Sequence, residues 1–413
     1  MLKETQNERI TQPVSNKRKH KPTAQDWFMR GYQAQRLNRL EEACVCYREA
    51  TDLDKHYAAA YNNWAESLLE LAKIKRSEEL FQRALKKYMK VARMDARNPM
   101  LYNNWANALA DYGKTMGRLE MFQEASQKYM QALRYAPHDA AIYNNWGITL
   151  SDLALMTGQA SVFHDAIEKY AIAAKFHPDY APAYYKWANL LSRLAMMKQD
   201  EQLFQESFEK YAKAAELQPD NALVYNDWGV ALSDLATLKN DDALFDESYA
   251  RFTKAVELQP EYPAFYYNWG NALSSQGDLK GEASLFEEAL KKYGKAVELQ
   301  PDNSIVIYNQ ALALSDLAKL NGTLEQDCER IETSLKKVIS LSGDTSAIYN
   351  LACLYALTHR KEEALDTLKQ ALESHHNITW EELEAETDLE SIRQEPAFAT
   401  LVETYFPERK VNA

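Results

Sequence analysis

Glycine and proline are scarce in this chain, with 12 of each in 413 residues, which argues against a β-rich fold dense in turns. Four scattered cysteines are too few for a disulfide scaffold, and we interpret them as small core residues in a reducing compartment. No apolar run approaches the roughly 20 residues that a membrane-spanning helix needs, and the N-terminus lacks the apolar segment of a secretory signal. We therefore expect a helical protein in the cytoplasm, with the nucleus or an organelle interior as alternatives.

Basic residues are also fewer than acidic ones: the chain has 48 Lys and Arg and 60 Asp and Glu, which gives a net charge of -12. This balance argues against general nucleic-acid binding, which needs basic side chains to replace phosphate counterions. It leaves room for a cationic partner. The sequence shows no glycine-rich phosphate loop, nucleophile elbow or His–Cys metal spacing, so we expect no enzyme activity, cofactor or metal.

What the sequence does contain is a repeat. Six tryptophans are spaced 41 residues apart, and each ends a tetrapeptide that begins with tyrosine. An alanine or glycine follows every tryptophan, and a leucine lies three places beyond that small residue. Self-similarity at such a period indicates a solenoid or array of repeats. The tryptophans are Trp64, Trp105, Trp146, Trp187, Trp228 and Trp269.

Each 41-residue unit is predicted to form two helices. The second helix carries small–aromatic–small spacing, as in Ala125, Tyr129 and Ala132, and most units close on a proline such as Pro137. We divide the chain into a disordered basic arm (1–23), a 34-residue unit (24–57), seven 41-residue units (58–344), a 34-residue unit (345–378) and a cap with a tail (379–413).

With these features the chain resembles the tetratricopeptide repeat family, whose pattern the last unit shows compactly in Tyr349, Ala352, Ala364, Leu368 and Ala371. The resemblance implies an all-α, right-handed superhelical solenoid of about nine helix-turn-helix repeats with a C-terminal capping helix. The chain departs from the family by seven extra residues per unit, or about two helical turns. We expect one added turn in each helix, giving helices of about four turns.

The repeat changes near its C-terminal end. Gln310 replaces the tryptophan of the eighth unit, whose second helix is predicted to be slipped by about one residue. Its predicted buried face is Leu335, Val338, Ile339 and Leu341. Residues from Trp380 to Phe406 are predicted to form one or two closing helices, because a solenoid needs a cap. These helices would pack Leu389, Ile392, Phe398 and Leu401 on the last repeat.

The resemblance places a binding surface on the concave wall of first helices, where the second and third residues of each tetrapeptide would face a ligand. Side-chain amides there could bond a peptide's N–H and C=O groups together, as in the similar asparagine ladder of O-linked N-acetylglucosamine transferases. The alternative is that these side chains only pack the helices. The ladder residues are Asn62, Asn63, Asn103, Asn104, Asn144, Asn145, Tyr185, Lys186, Asn226, Asp227, Tyr267, Asn268, Tyr308, Asn309, Tyr349 and Asn350.

Acidic residues recur further along the first helices, and Lys186 and Arg193 interrupt them in one unit. We expect a polar, acidic groove with one basic notch, or alternatively a solvated face. Asn104 and Asn107 match two places of the family's carboxylate clamp, but its lysine position is Asn or Tyr in every unit, which argues against a clamp. The acidic residues are Glu70, Asp111, Asp152, Asp234 and Asp316.

Together these patterns predict a scaffold or adaptor that binds an extended, basic or polar peptide segment in the groove. One alternative is a regulatory or assembly subunit of an enzyme complex. A helical repeat protein of RNA processing is the other, and the pI of about 5.3 argues against it. The sequence does not indicate an oligomeric state.

Overall fold

The computed structural model describes residues 21–374 and 378–407, and within these ranges all regular secondary structure is helical. The prediction of an all-α fold is confirmed. Nine consecutive helical pairs precede a closing segment in these ranges. Residues 1–20 of the predicted basic arm and residues 408–413 of the tail lie outside the described residues. No described helix combines the length and apolarity needed to cross a membrane.

The chain divides into two compact units, residues 1–178 and 179–413. The first unit contains helices α1 to α8: Ala24–Arg36, Leu40–Leu53, Ala58–Lys75, Glu78–Met94, Pro99–Met116, Leu119–Tyr135, Ala140–Thr157 and Ala160–Phe176. The second unit contains α9 to α20: Ala181–Lys198, Glu201–Leu217, Ala222–Lys239, Asp242–Leu258, Pro263–Lys280, Ala283–Leu299, Ser304–Asn321, Leu324–Ser342, Thr345–Leu357, Lys361–Ser374, Trp380–Ala385 and Pro396–Tyr405. Odd-numbered helices up to α17 are the first helices of their pairs.

The seven extra residues of the long repeats are helical. The short pair α1 and α2 has 13 and 14 residues, whereas α3 and α4 have 18 and 17. The first helix therefore gains five residues and the second gains three, while the turn between them loses one. The expected four turns are too few, because 18 residues correspond to about five turns.

The turn between two long helices consists of a left-handed residue followed by an N-cap. At the end of α11, Asn240 has a φ of 51°, a region that glycine occupies most easily. The Asp241 carboxylate then accepts hydrogen bonds from the backbone N–H groups of Ala243 and Leu244. Because these caps satisfy backbone groups at the helix ends, the charged segment 239–245 is a tight turn with helical flanks.

The contact between a second-helix aromatic ring and a small first-helix residue forms the core of each of the first seven pairs, and Leu335 and Leu368 take the place of the ring in the last two. Tyr170 is 1% exposed, and a Cβ atom built on Gly147 would lie 2.6 Å from its Cε1 atom. Gly270 and Tyr293 repeat this approach with the same spacing. The ring therefore sets how closely the two helices of a pair approach. Fully buried rings of this kind are Tyr47, Tyr88, Tyr129, Tyr170, Tyr211 and Phe252.

Within each unit, tryptophans pack between successive pairs, and the five from Trp105 to Trp269 are half-buried. Trp146, for example, stacks on Tyr129 of the preceding pair, with 6.0 Å between ring centroids. Its own second helix places the Lys169 Nζ atom 4.9 Å from the tryptophan centroid. A basic residue lies over each of the six rings, 23 residues after the tryptophan, which the sequence analysis missed: Lys87, Lys128, Lys169, Lys210, Arg251 and Lys292.

The eighth pair and the closing segment follow the prediction with one error. The buried residues of α16 are Cys328, Ile331, Leu335 and Val338, one position later than the 41-residue register, which confirms the slip. Leu341 was predicted to be buried but is 42% exposed. The closing segment consists of α19, a 3₁₀ helix over Thr387–Ile392 and α20. It buries Leu389, Ile392 and Phe398 in the core of the last pairs, with Leu401 half-buried.

The close approach at Gly147 predicts opposite effects for one substitution at two sites. Gly147→Ala should lower the free energy of unfolding by about 1–3 kcal/mol, because the new methyl group meets the Tyr170 ring. Gly294→Ala should raise it by about 0.5–1 kcal/mol, because Gly294 lies within α14 and a Cβ atom built on it would lie 3.9 Å from Gln310 Nε2, an ordinary contact. Urea unfolding followed by circular dichroism measures both. Equal effects at the two sites would contradict the assigned role of the ring.

Candidate functional site

The first helices share one face, which we define by the second tetrapeptide residue and the residues four, eight and twelve places after it. Residues four apart lie on the same side of a helix. On α11 this face consists of Asn226, Val230, Asp234 and Leu238. We call it the first-helix face. Along each helix, the face carries the second ladder residue, then the acidic residue two turns later and an apolar residue one turn beyond that.

In both units, ladder amides bond to each other between repeats. The Asn145 Nδ2 group donates to Asn103 Oδ1 over 3.0 Å, and Asn268 donates to Asn226 over the same distance. Each pair joins the third tetrapeptide residue of one repeat to the second residue of the repeat before it. The amides thus form rungs between first helices, and a rung uses the groups that a ligand would need.

Tyrosine replaces the accepting asparagine in later rungs. Asn309 donates to the Tyr267 hydroxyl over 3.1 Å, and Asn350 donates to the Tyr308 hydroxyl over 2.7 Å. The phenol is longer than the amide but presents its oxygen to the same donor position. The rung therefore survives the change of residue type.

One rung contains a charge. The Tyr185 hydroxyl donates to the Asp227 carboxylate over 2.6 Å, and the amides of Asn189 and Asn226 donate to it over 3.0 and 2.8 Å. Hydrogen bonds to a carboxylate are about twice as strong as neutral ones. Burial and the adjacent Asp227 charge raise the pKa of Tyr185, so the tyrosine remains a donor. Lys186 does not join the rung, and its Nζ atom lies 4.9 Å from the Tyr185 ring centroid.

Three of the second ladder positions are buried. Asn103, Asn144 and Asn226 are only 4–6% exposed, so the amides predicted to face a ligand present little surface at these positions. Asn103 and Asn226 are buried where the next first helix of their unit packs over them, as their rungs show. Asn104, Asn145, Asn268, Asn309 and Asn350 at the third position are half-buried.

Three further predicted amides are bonded within or next to their own pair. Asn62 donates to Glu66 of its own helix over 2.7 Å, and Asn63 lies 3.5 Å from the Tyr47 hydroxyl. Asn107 accepts from the Tyr129 hydroxyl over 2.5 Å. These contacts stabilise the helices around the buried rings rather than extending the set of rungs.

The acidic row differs between the two units. In the first unit the row forms ion pairs. The Lys73 Nζ atom lies 2.5 Å from Glu70 Oε1 and 3.3 Å from Asp111 Oδ2, and the Lys114 Nζ atom lies 2.8 Å from Asp152 Oδ1. In the second unit, Asp234 and Asp316 form no ion pair with any described residue. Burial raises the pKa of both carboxyl groups to about 6. Of the five residues of the acidic row, the two without an ion pair, Asp234 and Asp316, therefore lie in the second unit.

A row of exposed apolar side chains lies on the last turn of the first helices, and the sequence analysis missed it. Ile74 and Met156 of the first unit are 67% and 44% exposed. In the second unit Met197, Leu238, Leu279 and Leu320 are 39–56% exposed in four successive repeats. All lie ten residues after the tryptophan position, so the repeat alignment contained the signal. We call these six residues the apolar row.

The described residues contain no cluster of three or more His, Cys, Asp or Glu side chains that could hold a metal ion. The first-helix face thus offers apolar contact, carboxylates and the edges of paired amides. These groups recognise peptide surfaces through burial and hydrogen bonding.

The rung between Asn145 and Asn103 predicts that a variant lacking it is less stable even when no ligand is present. Asn145→Ala should lower the free energy of unfolding by about 1–3 kcal/mol, because the buried Asn103 oxygen loses its donor from the next repeat. Asn62→Ala is the matched control and should change it by about 0.5 kcal/mol or less, since Asn62 bonds only a residue of its own helix. Chemical denaturation would contradict the rung if both variants behaved alike.

Asp234 predicts a pH-dependent stability. Its pKa of about 6 in the folded protein exceeds the value of an unfolded aspartate, so the folded state binds more protons and stability falls as pH rises from about 4 to 6. Asp234→Asn should raise the free energy of unfolding at pH 7 by about 1–2 kcal/mol, with little effect at pH 4. Asp152→Asn, which loses an ion pair to Lys114, should not stabilise the protein. Urea titrations at both pH values decide this, and a pH-independent effect would refute it.

Comparisons with known proteins fit this geometry. The family model for the tetratricopeptide repeat matches residues 27–57 and 345–374. A comparison of the sequence with curated proteins found no match. Similar solved structures include yeast Tom70 (15% identity, TM-score 0.39, covering 92% of this chain and 99% of that one) and YrrB, a TPR protein with an unusual peptide-binding site (18%, 0.35, 54% and 96%). A third is the C-terminal part of a TPR repeat-containing protein from Cytophaga hutchinsonii (16%, 0.45, 69% and 97%). The first and ninth helical pairs are therefore tetratricopeptide repeats, and the ring-and-small-residue core recurs from the first pair to the seventh.

Proposed function

We propose that this protein is an interaction scaffold that binds an extended segment of a partner protein across the first-helix face. The observation that supports this most strongly is the apolar row, which exposes a methionine, leucine or isoleucine at the same turn of six first helices. Soluble proteins rarely leave large apolar side chains exposed in a regular array unless a partner covers them. The row lies on the turns by which these repeats exceed the short ones.

The spacing of the row suggests the form of the partner. Packed helices lie about 8–10 Å apart, and an extended chain in the polyproline II conformation advances about 3.1 Å per residue and presents every third side chain on the same side. One repeat then corresponds to about three residues of the partner. An extended segment with an apolar side chain at every third position would meet successive members of the row. Met197, Leu238, Leu279 and Leu320 offer four such contacts in the second unit.

The ladder has a supporting role in this proposal. Because its amides bond to each other, it fixes the spacing between first helices, and only the half-buried third-position amides are offered to the partner. Asp234 and Asp316 lie one turn before the apolar row and favour a partner with basic residues between its apolar ones. A regulatory or assembly subunit of an enzyme complex could use the same face. A cytoplasmic location is part of the proposal.

A selection from random 12-residue peptides displayed on phage tests this function. Peptides enriched on the wild-type protein should carry apolar residues three positions apart, with basic residues between them. Their binding to the triple variant Leu238→Ser, Leu279→Ser, Leu320→Ser should weaken by at least about tenfold, since several apolar contacts of about 0.8 kcal/mol per buried methylene are lost.

The control carries the same kind of change on second helices. Met89, Met130 and Leu341 are 40%, 48% and 42% exposed, so their substitution by serine removes similar exposed apolar surface elsewhere. This variant should bind the selected peptides as the wild type does. Failure to enrich any peptide, or binding that survives the row variant and is lost in the control, would overturn the proposal.

A further inference from the structure

A pocket of about 510 Å³ lies between α15, α17 and α19 in the second unit, beside the first helix of the ninth pair. Its wall includes Tyr308 and Tyr349, the Asn350 amide and the apolar side chain of Ile378. Two carboxylates of the closing segment, Glu382 and Glu386, complete it. The pocket has room for a large side chain, and it combines aromatic surface with hydrogen-bond acceptors.

The set of rungs ends at this pocket. Asn350 forms the last rung with the Tyr308 hydroxyl, over 2.7 Å. Tyr349 occupies the second tetrapeptide position that receives a donor from the next repeat in earlier rungs, but α17 belongs to the last repeat. The closing segment supplies no asparagine there, and no hydrogen bond to the Tyr349 hydroxyl occurs among the described residues. Tyr349 is therefore an open rung that faces the pocket.

The charge in the pocket is negative. Glu382 uses one oxygen to accept from the Thr379 backbone, and Glu386 accepts from the Asp388 backbone. Neither carboxylate has a basic partner within 4 Å among the described residues. Arg393, whose charge acts on Tyr349, donates to the backbone carbonyls of Leu383, Glu384 and Glu386 and pairs with Glu390. It thereby fixes α19 and forms no ion pair with Glu382 or Glu386.

A competing effect comes from α17, whose N-terminus forms part of the wall through Thr345 and Ser346. A helix N-terminus favours an anion. Asp344 already occupies that position, because its carboxylate accepts from the Ser346 N–H group over 2.8 Å. The cap adds a third negative charge near the pocket, so the balance favours a cation.

We infer that this pocket binds a basic side chain of the partner segment, a guanidinium or ammonium group held between the two tyrosines and the carboxylates of Glu382 and Glu386. The cation would donate to the free carboxylate oxygens and to Tyr349 at the open rung. Its alkyl part would contact Ile378 and the tyrosine rings, which also attract a cation. This inference deepens the proposed function, since it assigns the chemistry of one residue of the partner.

A titration with small probes tests the pocket independently of any peptide. Nα-acetyl-arginine amide added to the full-length, nitrogen-15-labelled protein should shift the backbone amide signals of Ser346, Tyr349 and Asn350 in a saturable way. Nα-acetyl-citrulline amide has nearly the same shape without the charge and should bind about tenfold more weakly or less. Nα-acetyl-lysine amide shows whether the pocket prefers guanidinium or ammonium.

Two double variants complete the test. Glu382→Gln with Glu386→Gln should weaken arginine-amide binding by about tenfold, while glutamine at position 382 preserves the capping box with Thr379. Glu381→Gln with Glu384→Gln removes the same charge from the same helix outside the pocket, and should leave the binding unchanged. Equal binding of arginine and citrulline amides, or equal binding by both double variants, would overturn the inference. Peptide selection can still succeed in that case, so failure of the pocket and failure of the scaffold function are distinguishable.

Discussion

The packing of one aromatic ring against one small residue is the contact on which each of the first seven helical pairs depends. The ring comes from the second helix, as Tyr170 does, and the small residue from the first, as Gly147 does. Protein interiors are close-packed, so this contact allows little variation in helix separation. The tryptophan before the small residue then stacks on the ring of the preceding pair, for example Trp146 on Tyr129. The same short segment thus determines the packing within a pair and between pairs.

The rungs follow from this packing. Once successive first helices lie side by side, their second and third tetrapeptide residues meet, and buried amides need partners because an unpaired polar group is costly. Asn103 and Asn226 find those partners in the next repeat. A feature that suggested peptide recognition is thus largely part of the structure itself. The surface that the proposed function assigns to a partner is the turn that the long helices add, where the apolar row lies, with Asp234 one turn before it.

The sequence predicted much of the fold because the same packing pattern recurs in successive repeats. Period, small residues and second-helix aromatics indicated the helical pairs, and the slipped register of α16 was visible from Leu335 and Val338. The direction of the Asn103 side chain was not predictable, because asparagine suits both a buried rung and a ligand contact. The lysines over the tryptophans and the open rung at Tyr349 depend on contacts between distant positions, 23 residues apart or between the last repeat and its cap. Aligning the repeats would have revealed the apolar row, since exposure at one repeated position is a periodic property.

Hydrogen–deuterium exchange with and without a selected peptide tests the central claim most directly, that the first-helix face binds a partner through the turns added to the long helices. The account predicts slower exchange in the last turns of α9, α11, α13 and α15, which carry Met197, Leu238, Leu279 and Leu320. It predicts no change in the second helices α10, α12 and α14 of the same unit. Protection confined to those second helices, with the last turns of the first helices unchanged, would contradict it.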